Sequence, residues 1–166
     1  GFYHLYYPTG RTDLSMIYQN GQVVQETGYF PDGEHVQYAY KINGDRGTVT
    51  QYADINGKLD MVTEFRFENV KDPRSRLIRD GKQTQYSPDG KIHSEIHYKN
   101  DLADGNVTIY YPTGELKIKG NASNGQYEGA VTVYYPSGAV KETIEKLSGP
   151  VENGGTGYTL NGKYRH

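Results

Sequence analysis

Apolar and polar residues alternate along most of this chain, and the alternating stretches recur at a nearly constant spacing. Alternation with a period of two is typical of β-strands with one buried face. The clearest stretch is residues 129–138, GAVTVYYPSG, which ends in a turn glycine. Related glycines follow at steps of 23, 24, 33, 24, 24 and 24 residues, at Gly10, Gly33, Gly57, Gly90, Gly114, Gly138 and Gly162. This spacing indicates an array of similar supersecondary units.

Each repeat predicts a β-hairpin followed by a second turn. Thr-Gly, Asp-Gly, Ser-Gly and Asn-Gly pairs between runs of β-forming residues favour two-residue loops, because glycine accepts the positive φ of such turns. A proline before the first turn would end the strand ladder, since it has no N–H to donate. Two-residue loops predict the pairs Tyr3 with Met16, Leu5 with Leu14, Tyr7 with Thr12, Ile109 with Ile118, Tyr111 with Leu116 and Tyr135 with Val140.

This register gives the predicted sheet an apolar face and a polar face. The apolar face would carry Tyr3, Leu5, Tyr7, Ile109, Leu116, Ile118, Val131, Val133, Tyr135 and Val140. The polar face would carry the leading tyrosine of each repeat: Tyr6, Tyr29, Tyr52, Tyr86, Tyr110, Tyr134 and Tyr158. In all repeats but the first, a threonine lies two residues before this tyrosine and therefore on the same face. We call these Thr and Tyr side chains the Thr-Tyr ladder.

Two departures interrupt the repeat. The long step from Gly57 to Gly90 has its excess around residues 69–80, which we interpret as an irregular insertion. In the second repeat, Val36, Tyr38 and Tyr40 lie one position later than the register requires, and a β-bulge would restore the phase. Neither departure marks a domain boundary, so we expect a single repeat domain over residues 1–166.

Composition supports an all-β fold with a thin core. Only 34% of the 166 residues are hydrophobic, and 17 tyrosines stand against 4 phenylalanines. Tyrosine suits the partly wet surface of a sheet. The 21 glycines, and the absence of a long run of helix-forming residues, argue against long helices. We therefore predict one antiparallel sheet of about seven hairpins, each about 24 residues long.

The charge balance narrows the classes of partner. A formal net charge of −2 gives no broad basic field for nucleic acid or an anionic membrane surface. The sequence has no cysteine, so it excludes disulfides and thiolate zinc sites, and it contains no apolar segment long enough to span a bilayer. Because Gly1 stands at a repeat boundary, as in a processed product, we expect a secreted or envelope-associated bacterial protein rather than a cytoplasmic one.

The repeat resembles a known family. Residues 124–129, NGQYEG, followed by YYPSG at 134–138, are similar to the MORN-type repeat (membrane occupation and recognition nexus) in its bacterial form. Related pieces occur at residues 43–47 and 100–105, so the resemblance covers essentially the whole chain. It implies an elongated, twisted meander of hairpins that serves as a scaffold. Some bacterial members are described as antitoxin-like, and others as interaction or envelope-associated modules.

Two short motifs are candidates for ligand chemistry. His93, Glu95 and His97 alternate on one strand face, where they could share a divalent metal; the alternative is a solvated face without metal. The insertion carries Arg74, Arg76 and Arg79, which could bind a phosphate or carboxylate; the alternative is a charged surface loop.

The Thr-Tyr ladder is the leading candidate for binding a partner. Its rings, with hydroxyl tips, could receive a protein surface or a glycan, and the residues predicted to bind are Tyr6, Tyr29, Tyr86, Tyr110 and Tyr134. The alternative is that Thr and Tyr pairs stabilise neighbouring strands, at roughly 0.2–1 kcal/mol for each cross-strand contact.

These observations predict a non-enzymatic protein-interaction or scaffold module without a cofactor. No Ser/His/Asp arrangement can be assembled from the spacing, and acidic residues do not recur in pairs. A single sheet without a covering helix must curl, form a homo-oligomer through its apolar face, or bind another protein. The alternative function is a cell-envelope or glycan-binding module that uses the exposed Thr-Tyr ladder.

Overall fold

The computed structural model describes residues 1–69, 75–145 and 150–151, and every regular element in them is a β-strand. Alternating β-forming residues bounded by glycine and proline turns account for these strands. Twelve strands follow one another: β1 Phe2–Tyr6, β2 Thr12–Gln19, β3 Gln22–Tyr29, β4 Val36–Asn43, β5 Arg46–Tyr52, β6 Leu59–Phe67, β7 Leu77–Tyr86, β8 Ile92–Lys99, β9 Leu102–Tyr110, β10 Leu116–Ser123, β11 Gln126–Tyr134 and β12 Val140–Ile144. The all-β prediction is confirmed.

The strands form one antiparallel meander in which spatial order equals sequence order, from β1 to β12. This confirms the predicted single sheet of hairpin repeats. The turn of the expected seventh repeat, at Gly162, lies outside the described residues. Backbone packing separates two compact units, Gly1–Arg79 and Asp80–His166, which we call the N-terminal and C-terminal units. A single domain over the whole chain stays a prediction. In the described part of the chain, no helix is long and apolar enough to cross a membrane.

The proline-containing turn is longer than expected. The Tyr7 carbonyl accepts the Gly10 N–H at 2.8 Å, and the Tyr7 N–H donates to the Arg11 carbonyl at 2.8 Å. Three residues, Pro8 to Gly10, therefore form the loop, with Gly10 at a φ of 81°. This pattern matches a type I turn closed by a glycine in the left-handed region, with proline at its favoured second position. Equivalent bonds close the turns at 87–91, 111–115 and 135–139.

The longer loop changes the register next to it. Leu5 still pairs with Leu14, Tyr3 with Met16 and Ile109 with Ile118, as predicted. Beside the turn a bulge intervenes, and the two-residue prediction is wrong there. The observed pairs are Tyr6 with Thr12, Tyr110 with Leu116 and Tyr134 with Val140, in place of the pairs predicted for Tyr7, Tyr111 and Tyr135.

The turns at the opposite strand ends agree with the two-residue prediction. Asn20 and Gly21 have φ values of 49° and 78°, and Asn124 and Gly125 have 49° and 80°. Positive φ at both central positions is the signature of a type I′ turn, which matches the right-handed twist of a hairpin. In each described repeat that contains both kinds of turn, a proline turn joins the strands at one end and a type I′ turn joins them at the other.

The second repeat absorbs its additional residue in the turn. There the Phe30 N–H donates to the His35 carbonyl at 2.9 Å, which makes the loop one residue longer than at Tyr7. The Asp32 carboxylate accepts the backbone N–H groups of Glu34 and His35 at 2.9 and 3.0 Å. The predicted bulge is present, since the pairing steps from Gly28 with Tyr38 to Tyr29 with Val36, but the additional residue of this repeat lies in the longer loop.

The C-terminal unit has a well-formed core on the apolar face. Ile96, Val107 and Val131 are at most 2% exposed. Around them lie Tyr98, Ala103, Ile109, Ile118, Ala122 and Tyr127. Ile109, Ile118 and Val131 were predicted on this face, and Val133 packs partly buried against the cluster. Packing roles for Tyr135 and Val140 are wrong, because both flank the proline turn and are about half exposed, at 49% and 57%.

Candidate functional site

The threonines of the Thr-Tyr ladder lie in one cross-strand row within each unit, where they alternate with residues of the return strands. Antiparallel pairing places one residue of each strand directly opposite its neighbour on the same face. In the C-terminal unit the row is Thr84, Glu95, Thr108, Lys119, Thr132 and Thr143. In the N-terminal unit it is His4, Ser15, Thr27, Ala39, Thr50 and Val62. Thr27 and Thr84 are buried, so these two threonines contribute to packing.

The leading tyrosines differ in exposure. Tyr6 is 62% exposed, whereas Tyr29, Tyr86, Tyr110 and Tyr134 are partly buried. The hydroxyl of Tyr29 lies 3.3 Å from the Ser15 hydroxyl, and the hydroxyl of Tyr110 donates to Glu95 at 3.1 Å. The hydroxyl groups of these two rings are therefore held by side chains of neighbouring strands.

The second tyrosine of a repeat has a role that sequence analysis missed. The Tyr7 hydroxyl donates to the Tyr29 carbonyl, and the Tyr111 hydroxyl donates to the Tyr134 carbonyl, both at 2.8 Å. Each bond joins one proline turn to the leading tyrosine of the next repeat. Two adjacent tyrosines in the sequence could have indicated this role. Only the structure shows that the acceptor is the carbonyl group of the leading tyrosine in the next repeat. Such a bond contributes about 1 kcal/mol to stability.

His93, Glu95 and His97, the candidate metal ligands of the sequence analysis, lie in β8. Glu95 makes a salt bridge with Lys82 and accepts the Tyr110 hydroxyl. Lys82 holds the pKa of the Glu95 carboxyl below its usual value, since the cation stabilises the charged form. The buried Nδ1 of His97 has no hydrogen-bond partner. Among the described residues, no group of three or more His, Cys, Asp or Glu side chains is placed to hold a metal ion.

The arginines of the insertion are only partly within the described chain. Arg74 lies outside the described residues. The Arg76 carbonyl accepts the Glu68 N–H at 2.9 Å, and Arg79 lies in β7 next to the buried Ile78. Arg76 and Arg79 both interact with neighbouring groups of the protein. A role for the three arginines in binding an anion or a partner stays a prediction.

An open polar groove lies over β9, β10 and β11 in the C-terminal unit. Its volume is about 460 Å³, and its lining is Asn106, Thr108, Lys119, Gly120, Asn121, Ala130 and Thr132. Asn106 pairs with Asn121, and Thr108 pairs with Lys119, so amides and hydroxyls stand side by side. The groove offers hydrogen-bond donors and acceptors together with one cation. Sequence reasoning placed these threonines on the polar face but did not identify a groove.

The apolar face of the N-terminal unit is more open than that of the C-terminal unit. One row across it contains Tyr3, Met16, Glu26, Tyr40 and Val49. Met16, Tyr40 and Val49 are partly buried, and Tyr3 is 48% exposed. These side chains are therefore more accessible than Ile96 and Val107 on the apolar face of the C-terminal unit.

Aromatic contacts organise one side of that face. Tyr38 and Tyr40 meet edge to face with ring centroids 5.4 Å apart, and Tyr40 meets Phe65 in the same way at 5.7 Å. Phe65 and Phe67 continue the series at 5.6 Å and are almost fully buried. Edge-to-face pairs of this kind contribute about 0.5–1.5 kcal/mol each beyond area burial. The rings of this series are buried in β6, at Phe65 and Phe67, and partly exposed in β4, at Tyr38 and Tyr40.

Comparison with known proteins gives one family match. The family described as the MORN repeat variant matches residues 79–100, 103–124 and 127–145, three consecutive repeats. No curated protein matches the chain. A crystal structure of a GtfA/B complex bound to UDP and GlcNAc is similar with a TM-score of 0.23 and 14% identity. The similarity covers 80% of this chain, and this chain spans 22% of that one.

The matched residues coincide with the hairpins of the C-terminal unit. Each segment contains a strand with a leading tyrosine, a proline turn and a return strand. MORN repeats suggest a repeat-based interaction module, and the family is generally non-enzymatic. On this match and on their hairpin meander, residues 79–145 are three consecutive MORN-type repeats.

Proposed function

We propose that this chain is a non-enzymatic protein-interaction module that docks a protein partner on the apolar face of its N-terminal unit. The observation that supports this proposal is that the two units bury their apolar faces to different extents. In the C-terminal unit, Ile96 and Val107 on the apolar face are buried, at 1% and 0% exposure. In the N-terminal unit, Leu14 and Met16 occupy the same face but remain partly exposed.

The open face continues to the edge of the sheet. Every residue of β1 is exposed, including Tyr3 at 48% and Leu5 at 43% on the apolar face. Contiguous exposed apolar side chains are uncommon on isolated proteins and typically mark interaction surfaces. The partly open aromatic pair of Tyr38 and Tyr40 adds the residue type that is enriched at protein interfaces. Together these features favour a protein partner.

Site-specific crosslinking tests this function. A photoreactive amino acid at Met16 should capture a defined partner in cells of the source organism. The same group at Lys119, on the polar face of the C-terminal unit, should not. The purified partner should then bind in calorimetry. Met16→Lys should weaken that binding at least about tenfold, because the new ammonium group would pair with Glu26 on the neighbouring strand and put a hydrated charge on the surface that the partner covers. Equal capture at both positions, or unchanged affinity for Met16→Lys, would refute the proposal.

An antitoxin-like role would be a specific form of this function. It is supported by the family resemblance of the repeats, and it requires a toxic partner, which a neighbouring gene would be expected to encode. Co-expression of that protein with this chain should restore growth, while co-expression with Met16→Lys should not. Growth inhibition that the intact chain fails to relieve would exclude the antitoxin role but leave other protein partners open.

A second candidate function, glycan binding in a cell envelope, is favoured by the polar groove. Paired amides and hydroxyls such as Asn106, Asn121 and Thr108 suit the hydroxyl groups of a sugar. The leading tyrosines Tyr110 and Tyr134 end the flanking strands β9 and β11, on the polar face that carries the groove.

A glycan array including cell-wall polysaccharides tests this candidate. Asn121→Ala and Tyr134→Ala should abolish binding while leaving circular dichroism unchanged. Tyr6→Ala, in the other unit, is the matched control and should bind normally. An intact chain that binds no glycan on the array would rule this function out.

A further inference from the structure

Glu26 is a charged residue in the middle of an otherwise apolar row. It pairs with Met16 on one side and with Tyr40 on the other, and Tyr3 continues the row beyond Met16. Strand alternation therefore places its side chain on the apolar face of the N-terminal unit. Glu26 is partly buried there. A carboxylate in such surroundings is costly unless a partner compensates its charge.

The backbone next to Glu26 brings an aromatic hydroxyl towards it. Gly28 lies two residues further on the same strand face and pairs with Tyr38. A Cβ atom at Gly28 would lie 2.3 Å from Cε1 of Tyr38, so the absence of a side chain lets the ring lie across the strand. The Tyr38 hydroxyl then donates to Oε1 of Glu26 at 3.4 Å, a long bond.

The charge of Glu26 is only weakly compensated within the protein. Burial raises the pKa of its carboxyl, and the Tyr38 hydrogen bond opposes that rise. Burial together with the nearby Glu26 carboxylate raises the pKa of Tyr38 to about 12. In the described part of the chain, no Lys, Arg or His forms an ion pair with Glu26. The site therefore combines negative charge, two aromatic rings and partial access to solvent.

We infer that Glu26, Tyr38 and Tyr40 form an acceptor site for a lysine or arginine side chain of the protein partner. An ammonium or guanidinium group there would pair with the carboxylate and contact the rings, which attract cations through their π-faces. Met16 and Tyr3 would contact apolar side chains next to that cation. The inference rests on the proposed docking function and adds the chemistry of the partner, a basic residue within an apolar segment.

A small probe tests the acceptor site without any partner. N-acetyl-lysine N-methylamide is titrated into the intact chain while the ring resonances of Tyr38 and Tyr40 are followed by NMR. The resonances should shift in a saturable manner. Glu26→Gln, which keeps the shape of the side chain, should weaken binding about tenfold, as expected for loss of one charge-assisted contact. Glu128→Gln, at an exposed position in the C-terminal unit, is the matched control and should leave binding unchanged.

The outcomes separate this inference from the docking function. Absence of ring shifts in the intact chain, or equal shifts in folded Glu26→Gln, would overturn the acceptor site. Partner capture at Met16 that is equally strong in the intact chain and in Glu26→Gln would also overturn it, while supporting the docking function. Loss of capture in Glu26→Gln but not in Glu128→Gln would support both.

Discussion

At the scale of single residues, the two adjacent tyrosines of a repeat have different partners. Tyr110 donates its hydroxyl to Glu95 on a neighbouring strand, whereas Tyr111 donates to the Tyr134 carbonyl in the next repeat. The sequence indicated that the pair would divide between two faces, with packing assigned to the second ring. The structure assigns the second tyrosine a hydrogen bond that links repeats, and this bond depends on its hydroxyl group.

Removing the Tyr111 hydroxyl tests this link. Tyr111→Phe should lower the free energy of unfolding by about 1 kcal/mol, because the Tyr134 carbonyl loses its donor. Tyr3→Phe removes a hydroxyl from a surface ring that is 48% exposed, and it should change stability very little. Urea denaturation followed by circular dichroism measures both. Equal effects of the two substitutions would contradict a linking role for Tyr111.

A second residue-scale prediction concerns pH. The N–H groups of His35 and Glu34 lower the pKa of Asp32 from its ordinary value of 3.8 to about 2. A lowered pKa in the folded state stabilises the protein above the unfolded-state value, and this contribution disappears as the pH falls through about 2. Asp32→Ala should therefore lower the urea midpoint at neutral pH, and the deficit relative to the intact chain should shrink between about pH 4 and 2.

Asp60 provides the control for Asp32, since it is exposed in β6. Asp60→Ala should leave the urea midpoint close to that of the intact chain throughout this range. A deficit for Asp32→Ala that stays constant down to pH 2 would show that the carboxylate charge does not stabilise the turn.

At the scale of elements, two kinds of turn hold the hairpins in register. Asn20-Gly21 and Asn124-Gly125 form type I′ turns by local conformational preference, and these two turns were predicted correctly, whereas the loop that contains Asn56 and Gly57 is longer than two residues. The proline turns were predicted one residue too short. Proline was interpreted as the end of the ladder, whereas in the structure it belongs to the loop, and the bulge beside it follows from that position. Both kinds of turn require a positive φ, which glycine adopts most easily, although Asn100 and Asp101 adopt it without glycine at φ values of 53° and 67°.

Substitution of Gly90 tests that requirement. Gly90 has a φ of 84°, and no atom lies within 4 Å of the position that a methyl group would take, so any cost of a side chain would come from the backbone conformation alone. Gly90→Ala should destabilise the chain by about 1 kcal/mol. Gly90→Asn should cost less, because asparagine tolerates positive φ better than alanine. Thermal unfolding of the two variants gives the comparison, and the reverse order would exclude a conformational cause.

At the scale of the whole molecule, one repeat pattern gives two units with different degrees of burial. The C-terminal unit encloses aliphatic side chains around Val107, and the family match falls on this unit. The N-terminal unit keeps an apolar face that is partly open and contains Glu26. One continuous strand order therefore contains a unit with a buried core and a unit with a partly exposed apolar face, and we propose that the second unit binds the partner.

Truncating one side chain in each unit tests that division. Val107→Ala should lower the free energy of unfolding by about 2 kcal/mol, since it removes fully buried methyl groups and leaves a cavity. Met16→Ala, on the partly exposed face, should lower it by less than about 1 kcal/mol in the isolated chain. Urea denaturation of both variants provides the measurement. A larger loss for Met16→Ala would indicate that its face is already a closed core.

The sequence by itself determined the features that depend on neighbouring residues. Strand alternation, the repeat length, the Asn-Gly turns and the pairing of Leu5 with Leu14 follow from φ preferences and from side-chain periodicity. These interactions act over a few residues, so they can be recognised without knowing which repeats meet in space. The threonines of the ladder were placed on the polar face for the same reason.

Only the tertiary structure decided which surfaces are covered and which side chains meet across repeats. The bond from Tyr111 to Tyr134 joins residues 23 positions apart in two different repeats. The salt bridge from Lys82 to Glu95 and the ring of Tyr38 across Gly28 lie within single hairpins, but they depend on side-chain conformations that the sequence pattern does not specify. Burial of a face depends on the summed packing of several strands, and similar repeats can therefore give one closed core and one open face. That non-local packing, rather than the repeat itself, selects the surface proposed to bind a partner.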